Sequence, residues 1–93
     1  MTSIEIQKEF TGISPTDCYN AAENCAETLG FSIVKKRPLG WLLQIKNDTV
    51  NANLGFRPGR TTMASLALSS ATETEETLKS IAEKIEIAIR ENL

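Results

Sequence analysis

The sequence predicts an α+β domain in which a five-stranded antiparallel sheet carries both of its helices on one face, in the order β-α-β-β-β-β-α. Two patterns carry this reading. From Phe31 to Ser70 apolar side chains recur with period two, the mark of strands with one buried face. From Thr72 to Asn92 they recur instead at Leu78, Ile81, Ala82, Ile85, Ala88 and Ile89, a stripe along one side of a helix. A third observation, Ser14-Pro15 placed directly after an alternating segment, starts another helix early in the chain.

The opening segment puts Ile4, Ile6 and Phe10 on one face and charges on the other, a half-buried strand. At the helix start Ser14 can cap the free amides, and Pro15 loses nothing by lacking an N–H there. Asp17 can reach back as a capping-box partner. Cys18, Ala21, Ala22, Cys25, Ala26 and Leu29 form the buried stripe of this helix, and Gly30 is predicted to close it in the left-handed conformation. The stripe is built of small residues, so the helix can lie close to the layer it covers. The second strand starts at Phe31 and ends in Lys35-Lys36-Arg37, with Pro38-Leu39-Gly40 as a turn. Trp41, Leu43 and Ile45 alternate in the third strand, and Val50, Ala52, Leu54 and Phe56 in the fourth. Arg57-Pro58-Gly59-Arg60 turns the chain into the fifth, where Ala64, Leu66 and Leu68 face inward. Thr72, with Glu75 three residues on, is predicted to cap the last helix. Only one face of the sheet is apolar, so both helices must cover it.

Ninety-three residues make a single domain, 1–93, with a modest core. The composition, 41% apolar and 24% charged, is that of an ordinary globular chain. Ten Lys and Arg against twelve Asp and Glu leave a net charge of -2, so nucleic acid is not the expected partner. No segment reaches the roughly 18–20 apolar residues of a membrane span. The amino terminus does not read as a signal peptide, and a cytoplasmic location is expected. Cys18 and Cys25, seven apart on one helix, would have α-carbons about 10 Å apart, beyond the reach of a disulfide. They read as small buried hydrophobes.

The chain has no histidine, which removes the commonest general base and the Ser-His-Asp and Cys-His arrangements with it. No Cys and His cluster offers metal-ligand spacing, and no glycine-rich phosphate loop opens a helix. Neither an enzyme nor a cofactor is expected. What the residues do supply is binding surface. Phe31, Trp41, Leu43, Leu54 and Phe56 are predicted to face the helices, where they could line an apolar site beneath the last helix. Tyr19 would place a hydroxyl at its rim. Lys35, Lys36, Arg37, Arg57 and Arg60, half of the Lys and Arg, lie in or beside two turns at the same end of the sheet. They are predicted to form a basic, anion-binding edge. Asp48, Glu73, Glu75 and Glu76 gather at the opposite end. Leu42, Met63, Ala67 and Ile87 point away from the core and offer a surface for self-association as a homodimer.

A strand running into Ser14-Pro15-Thr16-Asp17-Cys18-Tyr19, then an antiparallel meander and a long closing helix, resembles the START and Bet v 1-like (helix-grip) superfamily. In that superfamily the first strand leads into an [Ala/Ser]-Pro-x-[Asp/Glu]-x-[aromatic] helix start. The resemblance is strongest over residues 4–20 and 72–91 and implies an apolar or amphipathic small molecule held between the sheet and the last helix. This chain is tens of residues shorter than is usual there. The TATA-box-binding-like grouping shares the same element order. Two functions are therefore expected in competition: a small-molecule binding domain with Tyr19, Phe31, Trp41, Leu43, Leu54 and Phe56 at the ligand, or a protein- or nucleic-acid-interaction module with a filled core. The second would work through its outer sheet face or its basic edge.

Overall fold

The computed structural model describes all 93 residues. The elements are β1 (Thr2–Phe10), α1 (Pro15–Ala26), β2 (Ser32–Arg37), a 3-10 turn (Pro38–Gly40), β3 (Leu42–Lys46), β4 (Asn51–Arg57), β5 (Thr62–Ser70) and α2 (Glu75–Glu91). The strands form one antiparallel sheet in the order β1-β5-β4-β3-β2. Consecutive strands β2 to β5 are neighbours, and β1 closes the far edge against β5, pairing Thr2 with Ser70 through to Phe10 with Thr62. β1 and β2 therefore lie at opposite edges, and α1 carries the chain between them across the inner face.

The register sorts the side chains. Along β5, Thr62, Ala64, Leu66, Leu68 and Ser70 are buried while Met63, Ser65, Ala67 and Ser69 face outward. α1 packs on β2, β3 and β4, α2 packs on β1 and β5, and the two helices touch each other. Twenty-one buried residues fill the space between, including Phe10, Cys18, Leu54, Leu66, Leu78 and Ile85. The buried hydroxyls of Thr62 and Ser70 are both satisfied. The Thr62 hydroxyl donates to the Ile13 carbonyl, and Ser70 Oγ accepts from the amides of Thr72 and Glu73 at 3.1 and 2.9 Å.

Local signals explain the helix ends. Ser14 Oγ accepts from the Asp17 amide at 3.1 Å, as the capping reading expects. Past Ala26 the Phe31 amide donates to the Ala26 carbonyl and the Gly30 amide to that of Glu27, both at 2.9 Å. This pair of bonds is a Schellman closure with Gly30 at φ +85°, and it turns Phe31 under the helix it has just left.

Two expectations need correcting. α2 is capped by Thr74, whose hydroxyl accepts from the Thr77 amide, and not by Thr72. The Thr72 and Glu73 amides are already held by Ser70, so the helix starts two residues later. Trp41 is not the first residue of β3. It ends the 3-10 turn in the left-handed region at φ 51°, and the strand begins at Leu42. Its carbonyl accepts from the Phe56 amide at 3.0 Å and its indole Nε1 donates to Thr16 Oγ1 at 3.1 Å, two bonds that hold the conformation in place. No helix is long and apolar enough to cross a membrane.

Two substitutions test this packing. Ile85→Ala, at a fully buried site, is expected to lower the unfolding free energy by about 3 kcal/mol in urea titration. Gly30→Ala is expected to lower it by about 1 kcal/mol, because open space surrounds the position and only its positive φ resists a side chain. A larger loss at Gly30 than at Ile85 would contradict the account.

Candidate functional site

Sequence reasoning places one candidate site between the helices and the sheet. Phe31, Leu43, Leu54 and Phe56 do converge there, and all four are buried in the single core. They belong to the same filled core as the small stripe of α1 and the apolar stripe of α2. Trp41 is only half-buried and lies at the margin of that layer, tied to the first turn of α1. Tyr19 is 3% exposed, and its hydroxyl is occluded without a hydrogen-bond partner. Burial raises its pKa above the ordinary tyrosine value, and the nearby Glu23 carboxylate adds to the rise while Lys36 opposes it. Cys18 and Cys25 are free and buried, their thiols pushed up mainly by the same desolvation.

The hollows of the molecule lie elsewhere, and three of them share the outer face of the sheet. One of about 230 Å³ is lined by Lys35, Arg37, Leu42, Gln44 and Asn53 together with the edges of Leu43 and Leu54. A second, of about 350 Å³, runs across Gln7, Gly55, Ser65 and Ala67. A third, of about 400 Å³, lies along Ser3, Glu5, Asn53 and Ser69. Neither these nor the hollows beside α1 are lined by any residue of α2. Strand pairing explains the relief. Arg37, Leu42, Gly55, Ser65 and Gln7 form one cross-strand row, and Lys35, Gln44, Asn53, Ala67 and Glu5 form the next. The middle strands contribute small or uncharged side chains, and the charges stand at the two borders. Gly55 lets Leu42 lie flat, since a Cβ there would meet Leu42 Cδ2 at 3.0 Å.

The five cations expected at one basic edge share one end of the sheet but are divided between its faces. A register shift between Ile33 and Lys35 leaves Val34 unpaired and reverses the phase of β2. Lys35 and Arg37 therefore face outward. Lys36 turns to the helical side and pairs with Glu23 at 3.3 Å. Arg57 follows Gly55 on the outer face, in line with Met63 and Glu9. Arg60 stands apart on the β4–β5 hairpin, by a hollow of about 180 Å³ at the start of α1. All four ion pairs, Lys8–Glu86, Lys36–Glu23, Lys79–Glu75 and Arg90–Glu86, lie on the helical side. Lys35, Arg37, Lys46 and Arg57 on the outer face have no carboxylate partner within the chain, and Glu5 and Glu9 there have no cation.

The outer face was only half anticipated. Leu42, Met63 and Ala67 read as pointing off the core, but the flat tract of Gly55, Ser65 and Asn53 between them did not register. Its signal is compositional: an outward set of small and neutral residues on β4 and β5, where a solvated face more often carries charge.

Tyr19 gives the site analysis a direct test. Tyr19→Phe removes a buried hydroxyl that bonds to nothing, so it is expected to stabilise the fold by about 1 kcal/mol near neutral pH. The raised pKa fixes the sign of the alkaline effect. Up to about pH 10 the hydroxyl is protonated in both states; above it the unfolded chain ionises first, and stability falls as pH rises. The variant should lose less stability there, with Cys18 and Cys25, whose thiols burial also raises, still contributing to the fall. A destabilised variant in urea titration would show that the hydroxyl has a partner.

No protein-family model and no curated protein matches the sequence. Among solved structures the fold is similar to that of TTHA0849 from Thermus thermophilus, with a TM-score of 0.62 over 98% of this chain and 93% of that one. The identity is 9%, so what the two chains share is the fold alone.

Proposed function

We propose that this chain is a protein-interaction module whose working surface is the outer face of its sheet. One observation carries the reading. The inner face is filled by side chains from both helices, while the outer face, five strands wide, is covered by nothing and holds three adjoining hollows. An apolar ligand between α2 and the sheet would need space in a core where Leu66, Leu68, Leu78, Ala82 and Ile85 are already buried. The outer face needs no such rearrangement. Its centre is small and neutral and its borders are charged, the arrangement of a contact surface with a drier middle and a solvated rim. The strands beneath are rigidly paired, so a partner would meet a pre-shaped surface and little ordering cost would oppose association.

The test is a photocrosslinking amino acid introduced in living cells at Gln44, on the outer face, and separately at Lys79, on the solvent side of α2. Discrete protein adducts from Gln44, in clear excess over those from Lys79, are expected. Equal yields from the two positions would remove the outer face from consideration.

A further inference from the structure

From the distribution of charge on the outer face we infer that its partner is a second copy of this chain, docked face to face about a two-fold axis parallel to the strands. This rests on the reading of the outer face as the working surface.

The face is electrically split. At the β1 border stand Glu5 and Glu9; at the β2 border stand Lys35 and Arg37. None of the four takes part in an ion pair within the chain, although cations on the helical side do find carboxylates. Two copies can place this face against itself by a two-fold axis lying between the sheets, and the charges choose its direction. An axis across the strands sets β1 on β1 and β2 on β2, so carboxylates meet carboxylates and cations meet cations. An axis along the strands sets β2 of each copy on β1 of the other, and β4 on itself.

The second arrangement also respects register. Lys35 and Glu5 belong to the same cross-strand row, so each Lys35 comes over the partner's Glu5, twice per dimer. Arg37, one row on, falls between the levels of the partner's Glu5 and the partner's Glu9. At the centre Gly55 meets Gly55, where the absence of side chains lets two sheets approach. Leu42, 48% exposed, lands on the small outward side chains of the partner's β5. Lys46 belongs to the first row and Arg57 to the last. By the same symmetry Arg57 comes beside the partner's Arg57, a like-charge contact left at the wet rim in the row of Glu9, while the pairs at the two borders oppose unlike charges. Sheets packed in this way keep their strand directions within about 30° of each other, the ordinary aligned geometry.

Size sets the strength. The face spans about 24 Å across five strands and about 20 Å along them. The contact would bury about 1,000 Å² in total, the lower end for a specific interface, and points to a dimer that dissociates at micromolar concentration. Charged borders make association weaker at high salt.

The experiment is sedimentation velocity on the whole chain from about 1 to about 300 µM, the range such an interface demands. The wild type is expected to pass from monomer to dimer. Glu5→Lys and Lys35→Glu, both exposed and checked for folding by circular dichroism, should each weaken self-association about tenfold or more, because each places like charges opposite each other. Mixing the two variants in equal amounts should restore a dimer, since Lys35 of one then meets Glu5 of the other and the reversed pair meets as well. The double variant E5K/K35E should self-associate again for the same reason. A wild type that stays monomeric throughout overturns the proposal. So does a dimer indifferent to both substitutions, or two weakened variants that fail to rescue each other. In any of these cases the crosslinking yield at Gln44 still decides whether the outer face binds another protein.

Discussion

The passage of α1 from one edge of the sheet to the other governs the rest of the molecule. β1 and β2 are consecutive strands at opposite borders, so the connection between them has to traverse the whole width. It does so on the apolar face because its own apolar stripe, Cys18, Ala21, Ala22, Cys25 and Ala26, has nowhere else to be buried. Small side chains let the helix sit low over β3 and β4, leaving α2 to cover β1 and β5 beside it. Both helices lie on one side of the sheet, and neither covers the other side. A filled inner layer and a bare outer one are two consequences of a single crossing.

Electrostatics follow the same division. On the helical side the charged groups serve the fold. Lys36 reaches Glu23 on α1, Lys8 reaches Glu86 on α2, and Arg90 lies over the Phe10 ring at 4.1 Å while donating to the Glu9 carbonyl. These are exposed or half-exposed contacts worth little each, yet they fasten the helices to the edge strands. On the outer side, Glu5 and Glu9 are kept from Lys35 and Arg37 by the width of the sheet. A small sheet with opposite charges at its two borders has, in effect, a direction, and that direction limits what can lie against it. Beneath it the orphaned Tyr19 hydroxyl is the one polar flaw of a closely packed interior.

Much of this was legible in residue patterns. The two periodicities located five strands and two helices to within a few residues, and Ser14-Pro15 and Gly30 named the ends of α1 for the right physical reasons. What escaped were places where one local rule overrode another. Alternation carried Trp41 into β3, but the turn at Pro38-Leu39-Gly40 needs one more residue in the left-handed region before the strand can begin. Thr72 and Thr74 both have the chemistry of a helix cap, and only the Ser70 hydroxyl, which takes the intervening amides, decides between them. At Val34 an unpaired residue reverses the phase of β2, so period-two counting from Ile33 assigns Lys35, Lys36 and Arg37 to the wrong faces. The five basic residues read as one edge from the two turns they flank, and those turns do share one end of the sheet. What the turns do not show is that the residues divide there among the outer face, the helical side and a hairpin tip. The outer face itself escaped notice because small neutral residues carry no motif.

If the outer face is the working surface, as proposed, the inner layer holds no ligand. Native mass spectrometry of the protein as purified from cells, compared with the same sample denatured, tests it most directly. The account predicts the mass of one chain, or of a protein assembly containing it, with nothing smaller attached. A reproducible added mass of small-molecule size that leaves on denaturation would contradict it and return the site to the space between α2 and the sheet.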